Sequence, residues 1–140
     1  MSIADINKVM NKESGVYGIS GVSSDFRDLD AAVAEGNERA KLALEMFTYQ
    51  VKSYIASYAA AMGGVDAIVF TAGVGENTPH VRAGAVEGME FMGIKMDPEK
   101  NAVRGTMDIS AADSRTKILV IPTNEELMIA MDTMELVKEK

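Results

Sequence analysis

Cysteine is absent from this sequence, and with it go disulfides, thiolate nucleophiles and every zinc site built on cysteine. Intracellular proteins commonly look this way, so the cytoplasm is the expected location. Histidine occurs once, at His80, which excludes a histidine-rich metal centre; its place near the start of a predicted helix marks it as a surface residue. No segment reaches the run of about 18 apolar residues that a membrane-spanning helix needs, and the N-terminus lacks a basic stretch followed by an apolar one. The protein should stay soluble where it is made, with no membrane as partner. Positive charge is scarce too, with 14 Lys and Arg against 21 Asp and Glu and a net charge of −7. That balance disfavours nucleic acid backbones and anionic membrane surfaces as partners.

What is present is enough for one domain: 140 residues, 47% of them hydrophobic, can bury a respectable core. Methionine is plentiful at eleven residues, among them Met46, Met62, Met89, Met92, Met96, Met128, Met131 and Met134. Its flexible, polarizable side chain fills gaps, so these read as core and subunit-contact residues and not as metal ligands.

Taken in order, Ile3, Ile6, Val9 and Met10 have helical spacing and predict a helix over 3–12, ended near Ser14-Gly15. The glycine-punctuated 15–21 predicts an irregular loop or brief extended piece. Ser23-Ser24-Asp25 supplies caps for a helix over about 25–34, with Phe26, Leu29 and Val33 facing inward and Gly36 at its end. A long helix follows from Asn37 to Met62. Leu44, Phe47, Val51, Tyr54, Tyr58 and Met62 form its predicted apolar face, opposite Glu38, Lys41, Glu45 and Lys52. Strands are expected at 66–70 and 117–121, a helix at 78–90 weakened by Gly88, and a loop through 91–105 centred on Asp97-Pro98-Glu99-Lys100-Asn101. A brief strand near Met107 to Ser110 and a closing helix from Glu125 to Val137 complete the reading, the last with Leu127, Ile129 or Met131, Met134 and Val137 toward the core. Alternating helices and buried strands predict an α/β layer structure.

The stretch from Asp66 to Pro79 organises the rest. Ala67 to Phe70 reads as a strand covered on both faces, as in a parallel sheet. Gly73 and Gly75 permit positive φ and close approach of backbone to a ligand, Asn77 or Thr78 can cap the next helix, and Pro79 fits its first position. Such a strand, glycine loop and helix start can hold an anion. A tight turn without a ligand accounts for the same letters, since the third glycine of the dinucleotide fingerprint and the lysine of a P-loop are missing.

If 66–70 and 117–121 run parallel, the segments after them emerge at one sheet edge, where open α/β sheets bind ligands. The second segment is Pro122-Thr123-Asn124-Glu125-Glu126. Thr123 and Glu126 have capping-box spacing, which leaves Glu125 free. Beside bound phosphates, Glu125 would repel them unless Mg²⁺ lay between.

Three of these stretches resemble a known family. Asp66-Ala-Ile-Val-Phe-Thr-Ala-Gly-Val-Gly-Glu-Asn77, Ser23-Ser-Asp-Phe-Arg-Asp-Leu29 and Val120-Ile-Pro-Thr-Asn-Glu-Glu-Leu127 are similar, in order, to the C-terminal part of the acetate kinases, the acetokinase family of the acetate and sugar kinase/Hsp70/actin superfamily. The resemblance implies a partial actin-like ATPase domain, ribonuclease H-like, with parallel strands flanked by helices across 1–140. It implies a cytoplasmic phosphotransferase that uses ATP and Mg²⁺ to phosphorylate acetate or another short-chain carboxylate, giving acetyl phosphate and ADP from acetate, and a homodimer. Carried over, Asp25, Phe26 and Arg27 match the family's adenosine-contacting stretch. Gly73, Val74, Gly75, Glu76 and Asn77 match its second nucleotide loop, and Glu125 its magnesium-associated glutamate. Each also has a plain structural use: Asp25 as a cap, Phe26 as core, Arg27 as a solvated charge.

The resemblance covers only the family's C-terminal third. The family's catalytic Asp, His and Arg residues lie outside it, so the 140 residues alone are expected to be inactive. The alternative is a non-catalytic module that keeps the dimer contacts without useful ATP binding. Either way, strands that would pair beside these two are absent, and the chain should expose a sheet edge or apolar patch and dimerise.

Overall fold

The computed structural model describes residues 1–103, 105 and 107–138, so Arg104, within the predicted 91–105 loop, lies outside the described residues. In chain order the elements are α1 (Ile3–Lys12), α2 (Gly15–Ser20), α3 (Phe26–Ala34), α4 (Glu38–Met62), β1 (Ala67–Phe70), α5 (Ala72–Asn77), α6 (Pro79–Val86), a 3-10 turn (Glu90–Met92), α7 (Pro98–Asn101), β2 (Met107–Asp108), β3 (Lys117–Val120) and α8 (Glu125–Lys138). Among the described residues, no helix is long and apolar enough to cross a membrane.

Helix ends follow local chemistry. Ser2 and Asp5 exchange hydrogen bonds in a capping box at α1, Asp25 accepts from the Arg27 amide at α3, and Asn37 accepts from the Arg39 and Ala40 amides at α4. Gly63, at φ 74°, closes α4, and the Gly64 amide donates to the Ala59 carbonyl at 2.9 Å. Two short helices replace predicted loops. Residues 15–20 form α2, where glycines punctuate a helix instead of excluding one: Gly21 ends it at φ 68°. Tertiary contact outweighs propensity here, because Val16 packs on Leu29, Ala40 and Leu44, and the Arg39 Nε donates to the Ile19 carbonyl at 2.9 Å. Residues 98–101 form α7 because Asp97 accepts from the Glu99 and Lys100 amides. The helix predicted over 78–90 stops at Val86, and Gly88 then turns at φ 70°.

The sheet runs in the order β1–β3–β2. β1 and β3 are parallel, with Ala67 opposite Lys117 and Phe70 opposite Val120, whereas β2 is antiparallel to β3. The sheet is therefore mixed, though the parallel pair is the one predicted. Ile68, Phe70, Ile118 and Val120 face one side and pack with Ala85, Val86, Met89, Ile94 and Ile109. The other side is open: Val69 is 49% exposed, so β1 is covered on one face and not on both. β1 also has β3 as its sole partner in the described sheet, leaving its outer edge unpaired there, as expected.

A smaller cluster joins Leu29, Ala40 and Leu44 to Phe26 and Val33, so α4 links two cores. Its inner face differs from the predicted one. Ala40, Ala43, Leu44 and Ala59 are buried, while Tyr54, Tyr58 and Met62 are exposed. A helix drifts about 20° per heptad, which carries a three-and-four spacing off the contact line over so many turns. The contact with α6 is close: a Cβ on Gly84 would lie 2.6 Å from Thr48 Cγ2.

α1 and α8 contain no buried residue. Leu127, Ile129, Met131, Met134 and Val137 of α8, predicted to face the core, are exposed. Met89 is buried and Met92, Met96 and Met107 pack against the sheet cluster, but Met46, Met62, Met128, Met131 and Met134 are exposed.

Candidate functional site: a cleft between α3 and α5

One wall is built at the end of β1. Thr71 is extended, and Ala72 then takes φ 57°, a left-handed value that costs a non-glycine residue about 1–2 kcal/mol. The chain turns there directly into α5. Gly73 and Gly75 are helical, so the positive φ expected of them falls on Ala72 instead. The two glycines serve different ends. A Cβ on Gly75 would lie 3.1 Å from the Phe70 carbonyl carbon, so glycine lets α5 sit against the strand end. A Cβ on Gly73 would meet nothing within 4 Å; its bareness leaves open space and relieves no clash. Asn77 Nδ2 donates to the Gly73 carbonyl at 2.9 Å, and Pro79 opens α6 as expected, with Thr78 before it making no side-chain cap bond.

The wall is fixed from behind by Arg82, buried to 1% exposure. Its Nη1 donates to the Gly75 and Glu76 carbonyls, each at 2.8 Å, while Nε and Nη2 reach the Asn101 side-chain and main-chain oxygens at 2.8 and 2.7 Å. Burial pushes this guanidinium below its ordinary pKa, yet arginine stays protonated in proteins.

The facing wall is the start of α3. Ser23 Oγ accepts from the Asp25 amide at 3.0 Å and donates to Asp28 at 2.7 Å. Asp25 takes a two-pronged contact from Arg27, Nε at 3.1 Å and Nη2 at 2.6 Å, besides the Arg27 amide at 2.9 Å. The Arg27 side chain and amide hold the Asp25 carboxyl down to about 2, and Asp25 in turn raises Arg27. Phe26 meets Phe47 edge-on with centroids 4.8 Å apart, which anchors the wall to α4.

Between the walls lies a cleft of about 760 Å³. Ser24, Asp25, Phe26, Arg27 and Asp30 line one side; Gly73, Val74, Asn77 and Thr78 line the other. Two stretches far apart in the chain, singled out separately, thus share one space large enough for a mononucleotide-sized ligand. Gly75 and Glu76 are not among the lining residues. His80, half exposed as expected, sits 3.4 Å by Nε2 from Asp30 Oδ1 and so spans from α6 to α3.

The segment after β3 reaches the same edge. Glu76 Oε1 accepts from the Thr123 amide at 2.9 Å and from Thr123 Oγ1 at 3.3 Å, joining the two loops. This contact replaces the expected capping box: Thr123 is engaged by Glu76, and α8 is capped by Asn124, whose Oδ1 accepts from the Leu127 amide at 3.0 Å. Glu125 is exposed in the first turn of α8 and does not line the cleft. Among the described residues, no three carboxylate or histidine side chains gather as a metal cage. A lone carboxylate suits Mg²⁺ that arrives on phosphates with its own waters, not a protein-made site.

Sequence reasoning missed Arg82, Asn101 and the Glu76–Thr123 tie. Arg82 left one trace: it falls in helical phase with Val86 and Met89, so a charge sits in an apolar stripe.

The sequence profile of the acetokinase family matches residues 1–131. An acetate kinase of Treponema denticola is 60% identical over 139 residues, covering 99% of this chain and 35% of that protein. Among solved structures, an acetate kinase of Porphyromonas gingivalis superposes with a TM-score of 0.91 at 50% identity, over 98% of this chain and 35% of its own. A propionate kinase of Francisella tularensis gives 0.82 at 38%, over 93% and 33%. The chain spans about a third of the length of the relatives it matches. With an actin-like ATPase α/β fold and a match along nearly its whole length, the chain belongs to the acetokinase family.

Proposed function

We propose that this chain is the nucleotide-binding part of an acetate kinase, an enzyme that transfers the γ-phosphate of ATP to acetate to give acetyl phosphate and ADP. The observation that carries this reading is the single cleft shared by Asp25-Phe26-Arg27 and Gly73-Val74. The adenosine lies against Phe26 and Arg27, and the phosphates reach toward the bare Gly73 backbone, where no Cβ stands in the way. Glu125, at the same sheet edge, would hold the magnesium of the bound nucleotide. Magnesium supplies neutralisation of phosphate charge. Asp25 keeps Arg27 in place, and Glu76 ties the phosphate wall to the β3 loop.

Turnover by these 140 residues alone is not expected. Phosphoryl transfer needs cations that stabilise charge on the transferred group, and Arg82 is occupied behind the wall while Arg27 is paired with Asp25. The carboxylate substrate, acetate or propionate, the homodimer and the cytoplasmic location belong to the proposal for the whole protein. Titrating Mg-ADP into the purified chain tests it: saturable binding, weakened in Asp25→Ala, supports the reading, and no binding at millimolar nucleotide contradicts it.

A second reading, an interaction module that keeps dimer contacts without useful nucleotide affinity, draws support from the exposed apolar side chains of α1 and α8. Dimers in light scattering combined with no Mg-ADP binding would favour it.

A further inference from the structure

Arg82 takes a charge into the protein, and among the described residues no carboxylate meets it. Its hydrogen-bond acceptors, the Gly75, Glu76 and Asn101 carbonyls and the Asn101 side-chain oxygen, are all neutral. Asn101, itself buried, is anchored in turn by Nδ2 to the Pro79 carbonyl at 2.9 Å. Burying an ion is costly, and here the cost is offset because the guanidinium satisfies carbonyls of α5 and α7 that would otherwise lose a donor. A rigid fork gives something else. It grips two consecutive carbonyls of α5 on one side and α7 on the other, and so fixes the height and tilt of the Gly73–Asn77 turn over Phe70. Gly75 is held from both directions, by the strand end at 3.1 Å from a notional Cβ and by Arg82 Nη1. Arg82 does not line the cleft, so any effect on a ligand passes through that backbone.

We propose that Arg82 is a positioning residue for the nucleotide, setting affinity through the shape of its fork and not through its charge. The inference rests on the nucleotide reading given above and names the residue that holds its phosphate-side wall. Lysine keeps the charge, but its donors radiate from one atom and cannot span acceptors on both α5 and α7.

The test uses the 140-residue chain as wild type, Arg82→Lys and Ile109→Ala, the last a buried sheet-cluster variant that does not line the cleft. Amide hydrogen exchange in the free protein, melting temperature and Mg-ADP affinity are measured for each. Arg82→Lys should speed exchange selectively across residues 74–78 and weaken Mg-ADP binding about tenfold or more. Ile109→Ala should lower the melting temperature without weakening binding. Asn101→Ala frees one end of the fork and should give the same selective pattern at smaller size; it serves if Arg82→Lys does not fold. Unchanged exchange or unchanged affinity in a folded Arg82→Lys overturns the proposal. So does a loss of affinity in Ile109→Ala that matches Arg82→Lys at equal loss of stability. If wild type itself fails to bind Mg-ADP, the nucleotide reading falls, and exchange then decides Arg82 separately: opening confined to 74–78 supports its grip, and no opening refutes it.

Discussion

The two walls of the cleft are held in opposite ways. Residues 73–78 depend on contacts from outside the segment: Phe70 and Arg82 flank it, Arg82 is itself fixed by Asn101, and Thr123 reaches it from the segment after β3. Residues 23–30 depend largely on hydrogen bonds among Ser23, Asp25, Arg27 and Asp28, with Phe26 and Leu29 anchoring them to α4. The first wall is held chiefly by packing and by a guanidinium that stays charged, and acid reaches it only at the Glu76–Thr123 tie; the second is ordered by carboxylates that acid neutralises. A ligand entering the cleft meets one fixed surface and one adjustable surface.

Breaking the wall at 73–78 should have the largest effect. Arg82→Met leaves the buried Asn101 oxygens and the part-buried Gly75 and Glu76 carbonyls without this donor, at about 1–3 kcal/mol for each group left unsatisfied, so thermal unfolding should move down sharply. Gly75→Val is next. Its side chain would press on the Phe70 backbone, where displacement costs about 1–3 kcal/mol, and calorimetry should show that loss together with weaker Mg-ADP binding.

Acid should separate the walls. The Asp25 carboxyl titrates near 2 in the folded chain against an ordinary 3.8, so its stabilisation is complete above the ordinary value and is lost as pH falls through the lower one. Asp108 is depressed in the same direction by Lys117 and Ser110, so acid loosens the β2–β3 contact as well. Hydrogen exchange on descending from pH 4 should therefore open the Arg27 amide before those of 74–78, and Asp25→Asn should remove that order.

The smallest effect on the fold is expected for Gly73→Ala. With nothing within 4 Å of the new Cβ, stability should be unchanged or rise by up to about 1 kcal/mol, the helical preference of alanine over glycine. Mg-ADP affinity should nevertheless drop, because the open space is where the ligand approaches. A parallel loss of stability would show that Gly73 serves the turn and not the cleft.

The same contrast explains what the sequence made legible. Asp25 before Phe26, Leu29 and Val33 is a local signal, and the cap it predicts is the one observed. The meeting of the segments after β1 and β3 followed from a topological rule on the condition that the two strands run parallel, and they do. The wall at 73–78 was legible only in part. Gly73-x-Gly75 marked the place, but which residue takes positive φ depends on how α5 lands on Phe70, and that contact has no local signature. Thr123 was assigned to a cap because its spacing to Glu126 allowed one, whereas Glu76, distant in sequence, claims it. Apolar spacing likewise misled on α8, whose Leu127, Met131 and Met134 meet no core. Periodicity identifies a face; it does not supply the surface that covers it.

Amide shifts in NMR spectra during a Mg-ADP titration test the central claim most directly, because they report on both walls at once. A single saturable process that shifts residues 24–30 and 73–78 together, with one dissociation constant, is the predicted result. Shifts confined to one wall, or none there at saturating nucleotide, would contradict the reading of the cleft as a nucleotide site.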